Sequence, residues 1–369
     1  MRNSAFAFAL LLVAFWLTST GRANAQKQSA TAWESLFNGK DLSGWETYLR
    51  PSAAAPDQTP IGLNKDPHGV FKAGNGMIHV SGQDWGGIFT KKSYKNYHLR
   101  CQVKFGQKKW APRENAVADG GLLFHGSAPY DFGSTCWMRS VELQIQETDI
   151  GDYHNVGAGI PMLQFSKAKD GDDSVDQYDP TAPFQLTKNR VYRSANFESA
   201  PNDWTNVELV ARGADAVFIV NGFVVNRLFN IYRTDLHQQT TSGQLEFQSE
   251  GAEHYLKDIA LRPINFYPEG TPKLVANQAN MLLSTDKSQV LEVINQGGDT
   301  ELIAVELIGK DLEQFGLKLP GFPLVLKKGD KLTIPVSIKA GGSPGNQAIL
   351  QLETVLGPVE DFKVTLRAK

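Results

Sequence analysis

A segment near the middle of the chain combines strand spacing with side chains that can do chemistry. Between residues 139 and 147, apolar and polar positions alternate; the apolar ones are Val141, Leu143 and Ile145, and the polar ones are Glu142, Gln144 and Gln146. Successive side chains of a β-strand point to opposite faces, so the three polar groups share one face. A carboxyl group beside two amides could bind sugar hydroxyls; the alternative is an ordinary solvated face.

A second glutamate lies close enough in sequence to form a catalytic pair. Glu142 and Glu147 have the E-x-D-x-x-E spacing with which laminarinase-like retaining glucanases place their nucleophile and acid/base. Glu147 shares the Glu142 face only if a bulge interrupts the alternation. Gln144 stands where those enzymes have their central aspartate, and an amide cannot share a proton with a nucleophile. The two-carboxylate glycosidase is therefore the second choice of mechanism.

Five further side chains are candidates for catalysis or binding, each with a structural alternative. His125 could be a base or a metal ligand, or a hydrogen-bonded structural histidine. Arg139 could hold an oxyanion or a hydroxyl, or form a plain salt bridge. Trp85 could stack on a sugar ring, as could Trp137 and Trp204, although most tryptophans of a β-sandwich lie in the core.

Charge and cysteine content exclude several classes of function. The chain has 37 basic and 39 acidic residues and no basic block, so we expect no binding to nucleic acid or to an anionic membrane. The acidic run from Asp170 to Asp176 could hold calcium, but its spacing departs from an EF-hand loop, which favours a solvated loop. Cys101 and Cys136 are too few for a cysteine zinc site; export would permit a disulfide, whereas alternation makes Cys101 a core residue.

The first 25 residues are typical of an export signal. Arg2 precedes an apolar run over residues 5–17, and Ala23-Asn24-Ala25 follows it. The run is shorter than the roughly 20 apolar residues that span a bilayer, and no other stretch is long and apolar enough. We predict cleavage after Ala25 and a periplasmic or secreted mature protein.

Strands must position the candidate residues, because two-residue alternation recurs along the chain and helical periodicity is nearly absent. The clearest segments are residues 98–105, 140–146, 207–210, 217–220, 244–248 and 259–261. Asn221-Gly222 predicts a type I′ hairpin, since that turn needs positive φ at both positions. So many antiparallel strands predict an all-β fold whose first domain is a two-sheet jelly-roll sandwich.

A proline- and glycine-rich stretch over residues 264–272 predicts a linker. Beyond it, residues 289–294, 302–307, 331–338, 348–352 and 362–366 alternate again. This spacing predicts a smaller immunoglobulin-like β-sandwich over residues 273–369. Its strand order loosely resembles the abnormal-spindle/hydin-like modules, which implies a spacer or a module that binds a protein partner.

Blocks of sequence between residues 36 and 248 follow the order of a known family. They are Leu36-Phe-Asn-Gly-Lys-Asp-Leu-Ser-Gly-Trp45, Trp85-Gly-Gly-Ile-Phe-Thr90, Gly121-Leu-Leu-Phe-His-Gly126, Arg139 to Glu147 with Gly151-Asp152, Asp203-Trp204, Val220-Asn-Gly222 and Leu245-Glu-Phe-Gln248. Residues 33–263 thereby resemble the 3-keto-disaccharide hydrolase domain family. The resemblance implies a concanavalin-like jelly roll and hydrolysis of glycosides already oxidised at carbon 3. The side chains then expected to bind this carbohydrate are Gln144, Gln146, Asp152, Gln248, Glu250 and Trp85.

The ketone of such a substrate sets the chemistry. It acidifies the hydrogen on carbon 2, so a base can remove that proton, the enolate can expel the aglycone from carbon 1, and water can then add. The site needs a base, an acid for the leaving oxygen, and donors on the ketone oxygen. The expected roles are base for Glu142 or His125, acid for Glu147 or Asp152, and donors for Arg139 with Gln146.

Two questions stay open at this point. A divalent metal such as calcium could replace the donors on the ketone, although the sequence itself requires no cofactor. A non-catalytic, lectin-like carbohydrate-binding module is the alternative of a different class, because a fold does not fix a function.

Overall fold

Alternating residues form β-strands throughout the described part of the chain. The structure is a computed structural model that describes residues 32–132, 136–168, 175–264, 271–285 and 287–369. No α-helix lies within these ranges, which contain a 3-10 turn at Leu312–Gln314, and the predicted all-β fold is confirmed. No helix of the described ranges has the length and apolar character needed to cross a membrane.

The strands of the first domain are joined by turns and by longer loops. In chain order they are β1 (Glu34–Ser35), β2 (Trp45–Arg50), β3 (Gly62–Leu63), β4 (Phe71–Gly74), β5 (Met77–Val80), β6 (Trp85–Thr90), β7 (Tyr97–Lys109), β8 (Gly121–Ser127), β9 (Arg139–Gln144), β10 (Tyr153–Val156), β11 (Ile160–Lys167), β12 (Asp176–Tyr178), β13 (Phe184–Leu186), β14 (Thr205–Arg212), β15 (Asp215–Val220), β16 (Phe223–Arg233), β17 (Gln238–Gln239), β18 (Gln244–Ser249) and β19 (Ala252–Pro263).

These strands form the two facing sheets of a jelly roll. The site sheet has the order β10-β9-β8-β18-β6-β2-β3. The facing sheet has the order β16-β15-β14-β7-β19-β5-β4, and β11 extends it beyond β16. Asn221 and Gly222 have φ values of 48° and 81° between β15 and β16, which confirms the predicted hairpin.

The space between the two sheets is filled by apolar side chains. The site sheet contributes Leu49, Ile88, Leu122, Val141, Leu143 and Phe247, and the facing sheet contributes Leu99, Cys101, Val103, Leu209 and Phe218. Burying such side chains stabilises the fold by roughly 25 cal/mol per Å² of apolar surface. Cys101 is a core residue as its alternation predicts, and both Cys101 and Cys136 are unpaired. Residues of the opposite parity on the site sheet point away from this core.

The side chains on the other face of the site sheet, which point away from the core, are also buried, and this is unusual for a sheet with one core face. Its polar side chains Glu142, Gln144, Glu246 and Gln248 are 6, 5, 1 and 1% exposed. Loops that follow and precede the strands cover them. The predicted alternative of a solvated face is therefore wrong.

The last part of the chain forms a second pair of sheets. Its strands are β20 (Leu274–Ala276), β21 (Asn280–Leu283), β22 (Gln289–Asn295), β23 (Thr300–Ile308), β24 (Phe315–Leu317), β25 (Leu324–Leu326), β26 (Lys331–Ile338), β27 (Gln347–Thr354), β28 (Gly357–Pro358) and β29 (Val364–Ala368). One sheet has the order β20-β22-β26-β24, and the other contains β25, β23, β27, β29 and β21. All five predicted strand segments lie in or overlap these strands; the assignment to the immunoglobulin-like class stays a prediction.

The two sandwiches share buried contacts. Phe223 of β16 pairs with Val305 of β23. Arg227 donates to Glu353 at 2.8 and 2.7 Å and to Glu306 at 2.9 Å, and all three side chains are buried. Such contacts place the C-terminal strands, called here the C-terminal sandwich, firmly against the jelly roll.

Several sequence-based predictions fall outside the described residues. They concern the export signal at residues 1–25, most of the linker at residues 264–272, and most of the acidic run from Asp170 to Asp176. The domain boundaries stay predictions as well.

Candidate functional site

The register of the site sheet gathers a row of titratable side chains. Glu142 of β9 pairs directly with His154 of β10 on one side and with Leu123 of β8 on the other. Leu123 in turn pairs with Glu246 of β18. Directly paired residues share a face, and neighbouring strands lie about 4.8 Å apart, so the Cα atoms of Glu142 and Glu246 are roughly 10 Å apart.

Two glycines lie directly beneath the side chains of this row. A Cβ on Gly121 would overlap the Oε1 atoms of both Gln248 and Glu142, and a Cβ on Gly87 would overlap Glu246. Glycine is needed at both positions because the polar side chains lie close to the backbone, in the space that the Cβ of another residue would occupy.

Asp119, in the loop before β8, ties the polar groups together. It accepts hydrogen bonds from Gln144 Nε2 and Gln146 Nε2, both at 2.9 Å. Arg113 also donates to Asp119, and its Nη1 donates to Glu250 Oε1 at 3.1 Å. The predicted site residues Gln144, Gln146 and Glu250 thus lie in one cluster with two residues that the sequence reasoning missed.

A second group of ion pairs holds the loop that follows β9. Asp152 is fully buried and accepts from Arg190 Nη2 at 2.5 Å and from Arg193 Nη1 at 3.0 Å. Arg190 Nη2 also lies 3.4 Å from Gln146 Oε1. Because its oxygens are occupied by two guanidinium groups, Asp152 anchors this loop and is poorly suited to be the predicted acid.

The C-terminal sandwich reaches this loop through the segment from Arg190 to Glu198. Ala195 packs into the core of the C-terminal sandwich, and the Asn196 backbone N–H donates to Glu313 at 3.1 Å. Glu198 accepts the backbone N–H groups of Thr148 and Ile150, both at 3.0 Å. The segment therefore couples the packing of the C-terminal sandwich to the position of the loop.

Aromatic rings border the cluster. Trp85 of β6 stacks on Trp137 with ring centroids 6.3 Å apart, and Trp137 Nε1 donates to the Gly86 carbonyl at 3.0 Å. Trp204 lies on the facing sheet, where Lys257 Nζ is 4.1 Å from its ring centre. Of the three predicted tryptophans, Trp85 and Trp137 border the site and Trp204 does not.

Burial changes the acidity of the clustered carboxyl groups. It raises the pKa of Glu142 well above its usual value; the charges of Glu250 and Asp119 raise it further, and Arg190 lowers it. Burial raises the pKa of Glu246 to about 8 against a lowering hydrogen bond from the Met138 N–H. Burial and Asp119 raise the pKa of Glu250 to about 8, although Arg113 opposes them. Proton-holding carboxyl groups near neutral pH are what acid–base chemistry requires.

Glu147 does not join the cluster. Strand β9 ends at Gln144 without a bulge that would turn Glu147 toward Glu142. Its carboxylate accepts the Ala118 N–H at 3.4 Å and lies 4.0 Å from Lys109 Nζ. The spacing of a two-carboxylate glucanase is present in the sequence but does not bring its two carboxylates together.

His125 and Arg139 also lie apart from Glu142. His125 has a φ of 56° at an irregularity of β8, and its ring packs 4.9 Å from that of the core residue Phe124. Burial lowers the pKa of His125 to about 4. Arg139 donates to Asp235 at 3.1 Å and covers the Phe132 ring. The salt-bridge alternative describes Arg139, whereas both ring nitrogens of His125 are buried without a hydrogen-bond partner among the described residues, so His125 is not the hydrogen-bonded histidine of its structural alternative.

Five side chains of the cluster were absent from the predicted set: Asp119, Arg113, Glu246, Arg190 and His154. Strand parity could have found Glu246, because it alternates with the core residue Phe247 on a strand already recognised. The other residues sit in loops or on short β10, and their pairing partners are distant in sequence, so no local pattern points to them.

Neither a metal-ligand cluster nor a large cavity defines this site. The described residues contain no group of three or more His, Cys, Asp or Glu placed to hold a metal ion. Cavities of about 750 and 590 Å³ lie where the sandwiches meet, and Glu147 and Glu313 line the larger one. Neither cavity includes Glu142, so the chemistry of the residues locates the site better than cavity size.

Several solved structures are similar to part of this chain. Among solved structures, the chain is similar to a candidate glycosyl hydrolase from Parabacteroides distasonis ATCC 8503, with 17% identity and a TM-score of 0.38 over 63% of this chain and 94% of that one. It is similar to the Bacillus licheniformis beta-glucanase, with 9% identity and a TM-score of 0.33 over 64% and 99% of the two chains. It is also similar to the carbohydrate-binding module CBM66 from Bacillus subtilis, with 10% identity and a TM-score of 0.29 over 60% of this chain and 98% of that one.

No curated protein matches the chain. A family model does match, over residues 32–262, and this range includes every residue of the cluster described above. The chain therefore belongs to the family of 3-keto-alpha-glucoside-1,2-lyase-like domains.

Proposed function

We propose that the protein is an exported hydrolase of 3-keto-glycosides that works by elimination followed by hydration. The observation that carries the proposal is the buried row on the site sheet, where Glu142 and Glu246 share one face with amide side chains and an aromatic border. The family name supports it, because a 1,2-lyase of a 3-keto-glucoside breaks the bond at carbon 1 by drawing on the hydrogen at carbon 2.

Glu142 serves as the base in this proposal. Its carboxylate takes the proton from carbon 2, and the C–H electron pair forms an enolate with carbon 3. The electrons then return to the C3 carbonyl, form a double bond between carbons 1 and 2, and break the bond to the aglycone oxygen. Water adds across that double bond, with hydroxyl at carbon 1 and hydrogen at carbon 2, so the net reaction is hydrolysis.

Glu246 serves as the acid that protonates the leaving oxygen. The choice between the two carboxyl groups follows from their neighbours. Arg190 is a cation that favours the ionised form of Glu142, although burial, Glu250 and Asp119 together outweigh it, so Glu142 must lose its proton before it acts as the base. Glu246 has only the backbone N–H of Met138 to favour its ionised form. With a pKa raised to about 8, Glu246 holds its proton at neutral pH and can give it to the aglycone.

Substrate binding is assigned to the amides and the aromatic border. The Oε1 atom of Gln248 is buried, and no hydrogen-bond partner for it lies among the described residues. It lies over Gly121 beside Glu142, where a sugar hydroxyl could donate to it. Trp85, on the same face, has the flat apolar surface on which a sugar ring can stack.

Release of an aglycone tests the proposal directly. The mature protein is incubated with p-nitrophenyl 3-keto-glucoside, and nitrophenol is followed by absorbance beside the unoxidised p-nitrophenyl glucoside. The proposal predicts release from the keto compound alone. Release from the unoxidised glucoside at a similar rate would indicate ordinary glycosidase chemistry, and binding of the keto compound without release would indicate a lectin-like module.

Export is proposed on the strength of the N-terminal sequence, with its apolar run and its Ala23-Asn24-Ala25 end. Mass spectrometry of the protein recovered outside the cytoplasm should show an N-terminus at Gln26. An N-terminus that still carries Met1 would contradict this part of the proposal.

A further inference from the structure

His154 lies beside the base in the site sheet and has no assigned role. It is the direct cross-strand partner of Glu142, so the two side chains leave the sheet on the same face. Its other neighbours on that face include Arg190, whose charge acts on the ring. The imidazole is thus placed within the cluster that contains Glu142.

The Nε2 atom of His154 is buried without a partner. No hydrogen-bond partner for this atom lies among the described residues. A buried polar atom left unpaired is unfavourable, and at a functional site a ligand commonly satisfies it. An unpaired ring nitrogen beside a candidate base therefore indicates contact with the substrate.

The ring is neutral over the range in which the enzyme would work. Burial lowers the pKa of His154 to about 4, and the positive charge of Arg190 lowers it further. A neutral imidazole with its proton on Nε2 can donate one hydrogen bond and keeps that proton when it does so. Neutral imidazole is a known electrophile for carbonyl groups in enolisation, because it stabilises the enolate without protonating it.

We infer that His154 donates Nε2–H to the carbonyl oxygen at carbon 3 of the substrate and stabilises the enolate that forms when Glu142 removes the carbon 2 proton. This role rests on the proposed function and replaces Arg139, which lies elsewhere, as the donor to the ketone. The negative charge that develops on the C3 oxygen meets a donor fixed by the strand pairing of β10 with β9. A donor held in place in this way stabilises a transition state more than a solvent molecule could.

Two variants and a spectroscopic probe test the inference. The His154→Phe variant removes the donor and keeps a ring, and His154→Gln restores an N–H at similar reach. The probe is 3-keto-1,5-anhydroglucitol, which has the ketone but no aglycone to expel. The C=O stretching frequency of the bound probe is measured by difference infrared spectroscopy, and kcat and KM are measured on p-nitrophenyl 3-keto-glucoside.

A donor role predicts that wild-type protein lowers the C=O frequency of the probe and that His154→Phe abolishes the lowering. It predicts that kcat falls by about 10²–10³-fold in His154→Phe, as for the loss of one donor to an oxyanion, with partial recovery in His154→Gln. Unchanged frequency and kcat in folded His154→Phe, or no recovery in folded His154→Gln, would overturn the inference while leaving the proposed function intact. Wild-type protein that neither binds the probe nor cleaves the substrate would overturn both.

Discussion

The protein buries two groups of charged side chains, and they differ in how well the charges are matched. Between the sandwiches, Arg227 meets Glu306 and Glu353, and Arg262 meets Glu301, through hydrogen bonds at the ends of the guanidinium groups. Each of these glutamates is hydrogen-bonded to a guanidinium group, whereas on the site sheet the hydrogen bond to Glu246 comes from a backbone N–H. Glu246 has no cationic partner among the described residues. The carboxyl groups of Glu250 and Asp119 each raise the pKa of Glu142 by more than Arg190 lowers it.

This difference separates structure from chemistry. Burial raises the pKa of Glu353, but the hydrogen-bonded guanidinium of Arg227 opposes this effect. The Tyr178 hydroxyl donates to Glu306 at 2.8 Å and completes this group. Unmatched carboxyl groups keep pKa values near or above neutrality and can exchange protons at little cost. Burying these carboxyl groups lowers the stability of the folded protein, as is common at functional sites. The predictions below separate the two groups by their effects on stability.

The largest expected effect concerns the interface between the sandwiches. A fragment ending at Ile264 lacks Glu301, Glu306 and Glu353, so Arg227 and Arg262 would be left as unpaired charges against exposed apolar surface. We expect the fragment to be insoluble or unfolded by circular dichroism under conditions in which residues 26–369 fold. This is the opposite of what two independently folding domains joined by a linker would show, and a soluble, cooperatively unfolding fragment would contradict it.

A single substitution at the interface between the sandwiches should cause a smaller loss of stability. Glu301→Gln removes the charge that Arg262 Nη1 meets at 2.9 Å, and breaking a buried pair from one side costs about 3–5 kcal/mol. Denaturant unfolding should show a loss of that size in the free energy of unfolding. The control is Glu292→Gln, an exposed side chain of β22, which should change the free energy of unfolding by less than about 0.5 kcal/mol. Equal effects of the two variants would mean that the buried pair is not structural.

At the site, replacing the buried acid Glu246 by a neutral amide should increase the stability of the protein relative to wild type as the pH rises. The folded-state pKa of Glu246 is raised from 4.5 to about 8, so the wild-type protein loses stability as pH rises through this interval and levels off above it. Glu246→Gln carries no such proton and escapes the loss. We expect its melting temperature relative to wild type to rise between pH 5 and about pH 8. A difference that does not change with pH would show that Glu246 is not a buried proton-holding group.

Local patterns predicted the strands and the orientation of their side chains. The parity of Val141 and Leu143 against Glu142 and Gln144 follows from a two-residue repeat, and the structure places the first pair in the core. The same logic placed Asn221 at a hairpin. These features depend on neighbours in sequence, so a sequence read alone can supply them.

Long-range placement was beyond such patterns. His125 belongs to a strand, but an irregularity after Phe124 turns it away from Glu142. Asp119 becomes the centre of the cluster only because its loop folds back over β9. The C-terminal sandwich reads as a separate module, yet Ala195 of the jelly-roll region packs into its core. Each of these depends on which distant segments pair, and that information is absent from local spacing.

The most direct test of the central claim is hydrogen exchange at carbon 2 of 3-keto-1,5-anhydroglucitol in D₂O, followed by NMR. The account predicts that wild-type protein catalyses this exchange and that Glu142→Gln slows it about 10²–10⁴-fold, with little change in melting temperature. The control Leu143→Ala, on the core side of the same strand, should lower the free energy of unfolding by about 2–5 kcal/mol but keep the exchange rate of the folded protein. Exchange at the wild-type rate in folded Glu142→Gln would contradict the account.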